Sequence, residues 1–231
     1  LAKDRARAGA SEGAIIIARE QLQGKGRLGR AYFCPPGGIW FSVILRPNLN
    51  PTAASQLSFV AAVAIAQTID EMTILNPGIK WPNDILVNGK KIAGILTEMS
   101  AEIDQINHLI LGLGINLNLD LEQFGSQLVA KATSVQIELG HPVVKLDFFL
   151  KLLTHLEQEY IKLQEDGFTE VLSTWRDYNI TLNRQITVQH NDEQLAGQAV
   201  DIDDQGHLLL KTQQGETKKL VAGDVTLESI Y

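Results

Sequence analysis

Residues 84–99 read Asp-Ile-Leu-Val-Asn-Gly-Lys-Lys-Ile-Ala-Gly-Ile-Leu-Thr-Glu-Met, two apolar runs hinged on Asn88-Gly89. Asn-Gly between such runs forms a type I′ turn, because both positions tolerate positive φ. The chain must double back here as an antiparallel hairpin, which excludes an all-helical fold. Ala14–Arg19 and Ile39–Leu45 read as further strands, and Ile79-Lys80-Trp81 starts as one before turning at Pro82-Asn83-Asp84. His108–Asn118 is another, carrying Gly112 and Gly114. Glycine weakens a strand unless something must approach its backbone closely.

Helices interrupt these strands. Pro51-Thr52 and the following AASQLSFVAAVAIAQTIDEM predict a long, mostly buried helix with proline in its first turn. Leu146–Glu165 has a 3.6-residue rhythm through Leu146, Phe149, Leu150, Leu153, Leu156, Tyr160 and Leu163, with Asp147 as a candidate cap and Gly167 as its stop. A second helix covers Phe168–Tyr178, while residues 120–146 are less patterned. From Leu182 the texture changes to five short strands with turns at NDEQ, DDQG and QQGE, the pattern of a small β-barrel. A chain of 231 residues can hold one large domain and one small one, divided near Asn179–Asn183 into residues 1–181 and 182–231.

The stretch Ile15–Gly38 contains GKGRLG, a formal match to the G-x-G-x-x-G dinucleotide fingerprint. That fingerprint needs a helix opening on its last glycine and a carboxylate about 20 residues on. Here Pro35-Pro36-Gly37-Gly38 follows within a turn or two, and the later region reads SVILRPN. The dinucleotide reading fails. Arg19, Lys25, Arg27 and Arg30 instead place four cations beside glycines that let backbone approach a ligand, which suits phosphate or carboxylate. Taken alone, the stretch also fits a solvated basic turn. A net charge of −7 argues against a broad nucleic-acid footprint, so these cations mark a local site.

Lys80, before an aromatic residue and a proline, reads as a positioned point charge at a strand end or as a surface lysine on an edge strand. Asn83-Asp84 also fits a turn-forming pair. The single cysteine, Cys34, excludes an internal disulfide and suits a reducing cytosol; it is a nucleophile or, the favoured reading, a small residue in the turn before Pro35. No apolar run reads as long enough to span a membrane, since Ser58 and Gln67 interrupt Leu57–Ile69, and no signal peptide is visible. LAKDRARAGASEG reads as the tail of a helix stopped near Gly9 or Gly13, with residues expected before Leu1.

Together the segments resemble the biotin–protein ligase family. The loop Gln21-Leu22-Gln23-Gly24-Lys25-Gly26-Arg27-Leu28-Gly29-Arg30 follows the family's Gln-x-x-Gly-Arg-Gly-Arg-x-x-Arg, and Cys34-Pro35-Pro36-Gly37-Gly38 its Ser-Pro-x-Gly-Gly. Lys80-Trp81-Pro82-Asn83-Asp84, Lys91-Ile92-Ala93-Gly94-Ile95-Leu96-x-Glu98 and Gly112-x-Gly114-Ile115-Asn116 match without change. The likeness continues through Gly206 and Ala222-Gly223-Asp224-Val225. Lys25 departs from the family's arginine, keeping the charge but losing the bidentate fork. The family's Ser-Thr-Asn biotin motif would lie before Leu1.

The resemblance implies an α+β fold: a mixed sheet with flanking helices, related to class II aminoacyl-tRNA synthetases, and a small C-terminal barrel. It implies ATP-dependent formation of biotinyl-5′-AMP and transfer of biotin to a lysine of a biotin carboxyl carrier protein, with Mg²⁺ on ATP and metal ligands unassigned. It implies catalytic roles for Lys80 and Arg27, and biotin contacts from Gln21, Gly24, Lys25, Gly26, Arg27, Lys80, Gly94, Gly112 and Gly114. Lys25, Arg27, Arg30, Lys91 and Asn116 would face the nucleotide, and Trp81 is expected in packing rather than base stacking. The barrel is expected to support the site without forming it. A cytoplasmic setting, no nucleic acid or membrane, and homodimerisation as one form of assembly complete the expectation. The alternatives are a lipoate–protein ligase of the same fold and, if a DNA-binding domain precedes residue 1, a biotin-responsive repressor.

Overall fold

The Asn88-Gly89 turn forms as required, with φ of 50° and 76°. A computed structural model describes residues 1–231 apart from 104, 191–192 and 228–231. The first helix, α1 (Ala2–Arg7), ends before the positive-φ glycines Gly9 and Gly13. Strands β1 (Ile15–Ala18) and β2 (Ile39–Leu45) follow, then α2 (Gln56–Met72). Next come β3 (Gly78–Lys80), β4 (Asp84–Val87), β5 (Lys90–Ala101) and β6 (Ile106–Ile115). These make a six-stranded sheet in the order β1-β2-β6-β5-β4-β3. Its ladders are antiparallel among the described residues, and parallel pairing enters through the isolated bridges Ile79–Asn179 and Lys91–Ala132.

Helix α2 is apolar on nearly every face, the pattern of a helix surrounded by apolar groups, and here the protein core surrounds it. Leu57, Val60, Ala61, Val63, Ala64, Ile65 and Ile69 are fully buried in the main core. Two expectations change here. Pro51 opens a separate 3₁₀ turn, Pro51–Ala53, capped by Asn50, and not the α-helix itself. That turn and α2 together, Pro51–Met72 at 22 residues, are also long and apolar enough to cross a membrane, with 72% of the most apolar window buried inside the protein. Ser58 and Gln67 do not interrupt it, because both fit on its packed surface.

The less patterned stretch holds two short helices, α3 (Gly125–Leu128) and α4 (Val135–Leu139), the latter capped by Ser134 and ended by Gly140 in the left-handed region. Helices α5 (Lys145–Glu165) and α6 (Phe168–Tyr178) then pack on α2. The buried face of α5 differs from its apolar count: Phe148, Leu152, His155, Leu156, Glu159 and Leu163 point inward. Leu146 and Leu150 are 63% and 53% exposed. Two polar residues hold core positions because the neighbouring helix supplies their partners, which no hydrophobic rhythm reveals. Asp147 makes no cap; the helix starts after Val144.

The last five strands are β7 (Gln185–His190), β8 (Glu193–Ile202), β9 (Leu208–Thr212), β10 (Thr217–Leu220) and β11 (Asp224–Leu227), an antiparallel sheet in the order β10-β9-β8-β7-β11. A bulge between Ala199 and Asp201 bends β8. Turns stand at DDQG and QQGE, while the NDEQ turn includes residues outside those described. The DDQG turn docks on the main domain: Ser55 Oγ donates to Gln205 O (2.8 Å), Gln56 Nε2 to Asp204 O (3.1 Å) and Trp81 Nε1 to Gly206 O (3.0 Å). A side chain at Gly206 would meet Phe59 at 2.8 Å. The small sheet thus leans on the larger unit.

Candidate active site

The basic loop closes on itself as an irregular hairpin. Gln21 N donates to Cys34 O (3.0 Å), Tyr32 N to Gly24 O (2.9 Å) and Gly26 N to Arg30 O (2.8 Å). Its tip is a 3₁₀ turn, Arg27–Gly29, with Leu28 and Gly29 at positive φ. No α-helix opens on the last glycine, as the failed dinucleotide match requires. At Gly24 a Cβ would sit 2.2 Å from Tyr32 O, so the hairpin closes only around glycine.

Beneath the loop lies a cavity of about 640 Å³, bounded by α1, β1, β2, β5, β6 and the turn at Gly223-Asp224. Gln21, Lys25, Gly26, Arg27, Arg30, Lys91, Gly94, Gly112 and Gly114 all reach it, as their motifs suggest. Lys91, Arg30 and Arg27 are held by protein groups. Lys91 Nζ lies 2.5 Å from Asp84 Oδ1, and Arg30 Nη1 2.6 Å from Asp224 Oδ2. Arg27 Nη1 donates to Asn83 Oδ1 (3.2 Å) and Gly223 O (3.4 Å). Burial lowers the pKa of Arg27, against the charges of Asp84 and Asp224. Burial alone would raise Asp224, but its bond to Arg30 and the charges of Arg30, Lys80 and Lys91 hold it below the usual carboxylate value.

Three expected site residues stand elsewhere. Lys80 does not line the cavity; its Nζ donates to Val225 O (3.0 Å) and lies 3.6 Å from Asp84 Oδ2, one carboxylate behind the wall. Gly24 belongs to the base of the loop. Asn116 is 5% exposed, and its amide donates to Thr133 O (2.9 Å), tying the end of β6 to the chain before α4. Gly94 and Gly114 need a different account from an open floor. They are register partners on β5 and β6, and the Tyr32 ring covers them. A Cβ at Gly114 would meet Tyr32 Cε1 at 2.7 Å, while the hydroxyl donates to Gly114 O at 3.2 Å. Lys91 Nζ sits 5.4 Å from the ring centroid. Burial, then the charge of Asp84, raises the Tyr32 pKa, so the phenol stays protonated. Gly112 has more room; the nearest atom to an added Cβ is 3.4 Å away.

The support-only reading of the C-terminal sheet is corrected by this geometry, since Gly223 and Asp224 line the cavity and Val225 holds Lys80. Tyr32, Asp84 and Asp224 are functional candidates that motif reading passed over. Asp84 lay in the Lys80–Asp84 segment and Asp224 in the Ala222–Val225 segment, each without an assigned role; Tyr32 carried no signal. Cys34 behaves as a packing residue: it is buried, and burial pushes its thiol up to about 11, leaving little thiolate at neutral pH. Trp81 is fully buried and bonded to Gly206 O, a packing role as expected.

Residues 2–116 match the biotin/lipoate A/B protein ligase family, and residues 181–227 the biotin protein ligase C-terminal domain. The bifunctional ligase/repressor BirA of Bacillus subtilis is 37% identical over 219 residues, 94% of this chain and 67% of that protein. The biotin–[acetyl-CoA-carboxylase] ligase of Paracoccus denitrificans is 34% identical over 90% of this chain and 88% of its own. The fold is similar to that of the Aquifex aeolicus biotin protein ligase solved with biotin and ATP, with a TM-score of 0.83, 26% identity, and coverage of 98% of this chain and 93% of that one.

Proposed function

Because the chain belongs to the biotin–protein ligase family, we propose that it activates biotin with ATP to biotinyl-5′-AMP and transfers the biotinyl group to a lysine of a biotin carboxyl carrier protein. The observation that carries this reading is the gathering of Lys25, Arg27, Arg30 and Lys91 around one cavity, at the positions of the family's motifs. Two anions, a carboxylate and a triphosphate, must meet before they react, and fixed cations lower that barrier. A carboxylate oxygen of biotin attacks the α-phosphorus, and pyrophosphate leaves with the bridging oxygen and its electron pair. The carrier's neutral ε-amine then attacks the mixed anhydride carbonyl, forming the amide, losing a proton and releasing AMP.

In this reading Arg27 bridges the reacting anions, with Lys25, Arg30 and Lys91 on the phosphates. Lys80 joins them by exchanging Val225 O and Asp84 for the ligand's oxygens. Gln21 and Gly112 face biotin, and Tyr32 yields the Gly94–Gly114 seat. Mg²⁺ bound to ATP would supply positive charge against its phosphates. Of the carboxylates lining the cavity, Asp84 and Asp224 stand beside its cations and would be the ones to hold it, and among the described residues no three His, Cys, Asp or Glu side chains gather as a closed metal site. We assign the ligase chemistry to residues 1–181 with help from the 223–225 turn of the second domain, 182–231. A homodimer and a cytoplasmic setting belong to the same proposal, the latter supported by the single reduced cysteine.

The rival substrate is lipoate. The match of residues 181–227 to the C-terminal domain of biotin protein ligases favours biotin. Incubation with ATP, a biotin-acceptor domain and labelled biotin or labelled lipoate decides between them. Label on the acceptor from biotin alone is expected; label from lipoate, or from neither, overturns the reading.

A further inference from the structure

Arg46 stands just past the end of β2 and does not line the main cavity, yet its guanidinium holds a segment that does. Nη2 donates to Ala6 O (2.9 Å) and Ala10 O (3.0 Å), Nε to Ala10 O (3.3 Å) and Nη1 to Asn107 O (2.8 Å). Ala6 and Ala10 belong to α1 and the turn after it, Asn107 to β6. We propose that Arg46 is a positioning residue for biotin: by clamping the C-terminal end of α1, it sets the part of the cavity wall that this helix provides. The inference rests on the ligase reading above.

Helix α1 needs such a hold. Its six residues are too few to stay helical in water alone. The last carbonyls of a helix lack partners within it, and a cation is favoured at that end. Ala6 is 3% exposed and packs with Ile44 of β2 and Ile110 of β6. One face of α1 is thus spent on the sheet, while Leu1, Lys3, Asp4 and Arg7 line the cavity. The clamp is itself braced from a third side. Arg46 N donates to Glu12 Oε1 (3.0 Å), which also accepts from the hydroxyl of Tyr160 on α5 (2.5 Å).

The wall set in this way lies away from the phosphate-type cations. Lys91 and the Tyr32 ring stand over the Gly94–Gly114 register pair. Lys3 of α1 instead pairs with Glu98 (2.7 Å), the register partner of Ile110. From Gly94 to Glu98 is about 13 Å of strand. Ile16 and Ile110 line the cavity and pack in the same cluster as Ala6. An apolar wall suits the rings and acyl chain of biotin and not a triphosphate. A displaced α1 therefore changes one end of the cavity, and its signature is a loss confined to biotin.

Calorimetric titration of biotin into the full chain and its Arg46→Ala variant tests this. Affinity should fall about tenfold, the scale of one lost hydrogen bond to a charged group. In adenylate formation the KM for biotin should rise by the same factor, with kcat and the KM for ATP within about twofold. Arg46→Lys keeps the cation without the fork; its biotin affinity should fall between the two, and it serves alone if the alanine variant does not fold. Equal rises in both KM values, or an unchanged biotin affinity, overturn the proposal. Amide exchange separates its failure from that of the ligase reading. Ala8, Gly9 and Ala10 donate their amides to Asp4 O, Ala6 O and Arg5 O. They should exchange faster in Arg46→Ala, with β2 unchanged, whether or not the wild-type chain binds biotin; unchanged exchange overturns the clamp. Absence of biotin binding by the wild-type chain despite that change would count against the ligase reading instead.

Discussion

Along the seam between α2 and α5, polar side chains pair with one another, apart from the buried Oε2 of Glu159, whereas beneath the basic loop they border a void. In the seam, Glu159 Oε1 accepts from Gln67 (3.1 Å) and Lys162 (2.6 Å). His155 joins Thr68 Oγ1 (2.9 Å) to Glu71 (3.0 Å). Partners fill the space between the helices. At the loop, Arg27, Lys91 and Arg30 also have protein partners, but these line about 640 Å³ of open volume, and Arg27 keeps unused donors. Buried polarity alone therefore does not mark a site. A site adds room, and donors that protein groups can release to a ligand.

The largest expected effect breaks the loop side of this comparison. Arg27→Ala and Lys80→Ala should each lower biotinyl-AMP formation by about 10²–10³-fold, the cost of one preorganised electrostatic stabiliser, with an unchanged circular dichroism spectrum. Full activity in either folded variant would remove that residue from the chemistry. The seam should respond the other way. His155→Ala should lower stability by about 3 kcal/mol, from stranded partners and a small void, while kcat stays within about twofold. A large loss of kcat without a loss of stability would make the seam part of the active site.

A third test concerns acid. Burial alone would raise Asp203, but bonds from Lys219, His207 and Gln205 hold it at about 2, against an ordinary 3.8. Its folded pKa is depressed, so its contribution is complete above the ordinary value and is lost as pH falls from about 4 towards 2. Asp203→Asn should remove about 2 kcal/mol at neutral pH, at 1.36 kcal/mol per pKa unit, and flatten stability over that window. Urea unfolding at stepped pH reads this, and an unchanged acid limb would refute it. The smallest effect is expected for Lys25→Arg, which keeps the charge and adds a fork. Adenylation should change by less than about threefold, and a tenfold loss would show that this loop holds its ligand differently from its relatives.

Local rules carried much of this protein. The Asn88-Gly89 hairpin, the bounds of α6, the strand carrying Gly112 and Gly114, and the rejection of a dinucleotide at GKGRLG all follow from φ preferences, proline geometry and side-chain period, which act over a few residues. The motifs likewise named most of the cavity's cations before any contact was known. What they left open is what crosses the chain. The inward face of α5 depends on Gln67, Thr68 and Glu71 of another helix, so His155 and Glu159 could not be read as core. Tyr32 covers Gly94 and Gly114 only because the loop folds back over β5 and β6. Asp224 meets Arg30 across 194 residues of sequence, and Val225 draws Lys80 behind the cavity wall. Those contacts are set by how the second sheet docks on the first, through burial of apolar surface and the Trp81–Gly206 bond, and docking of distant segments is a property of the assembled core that no local spacing encodes.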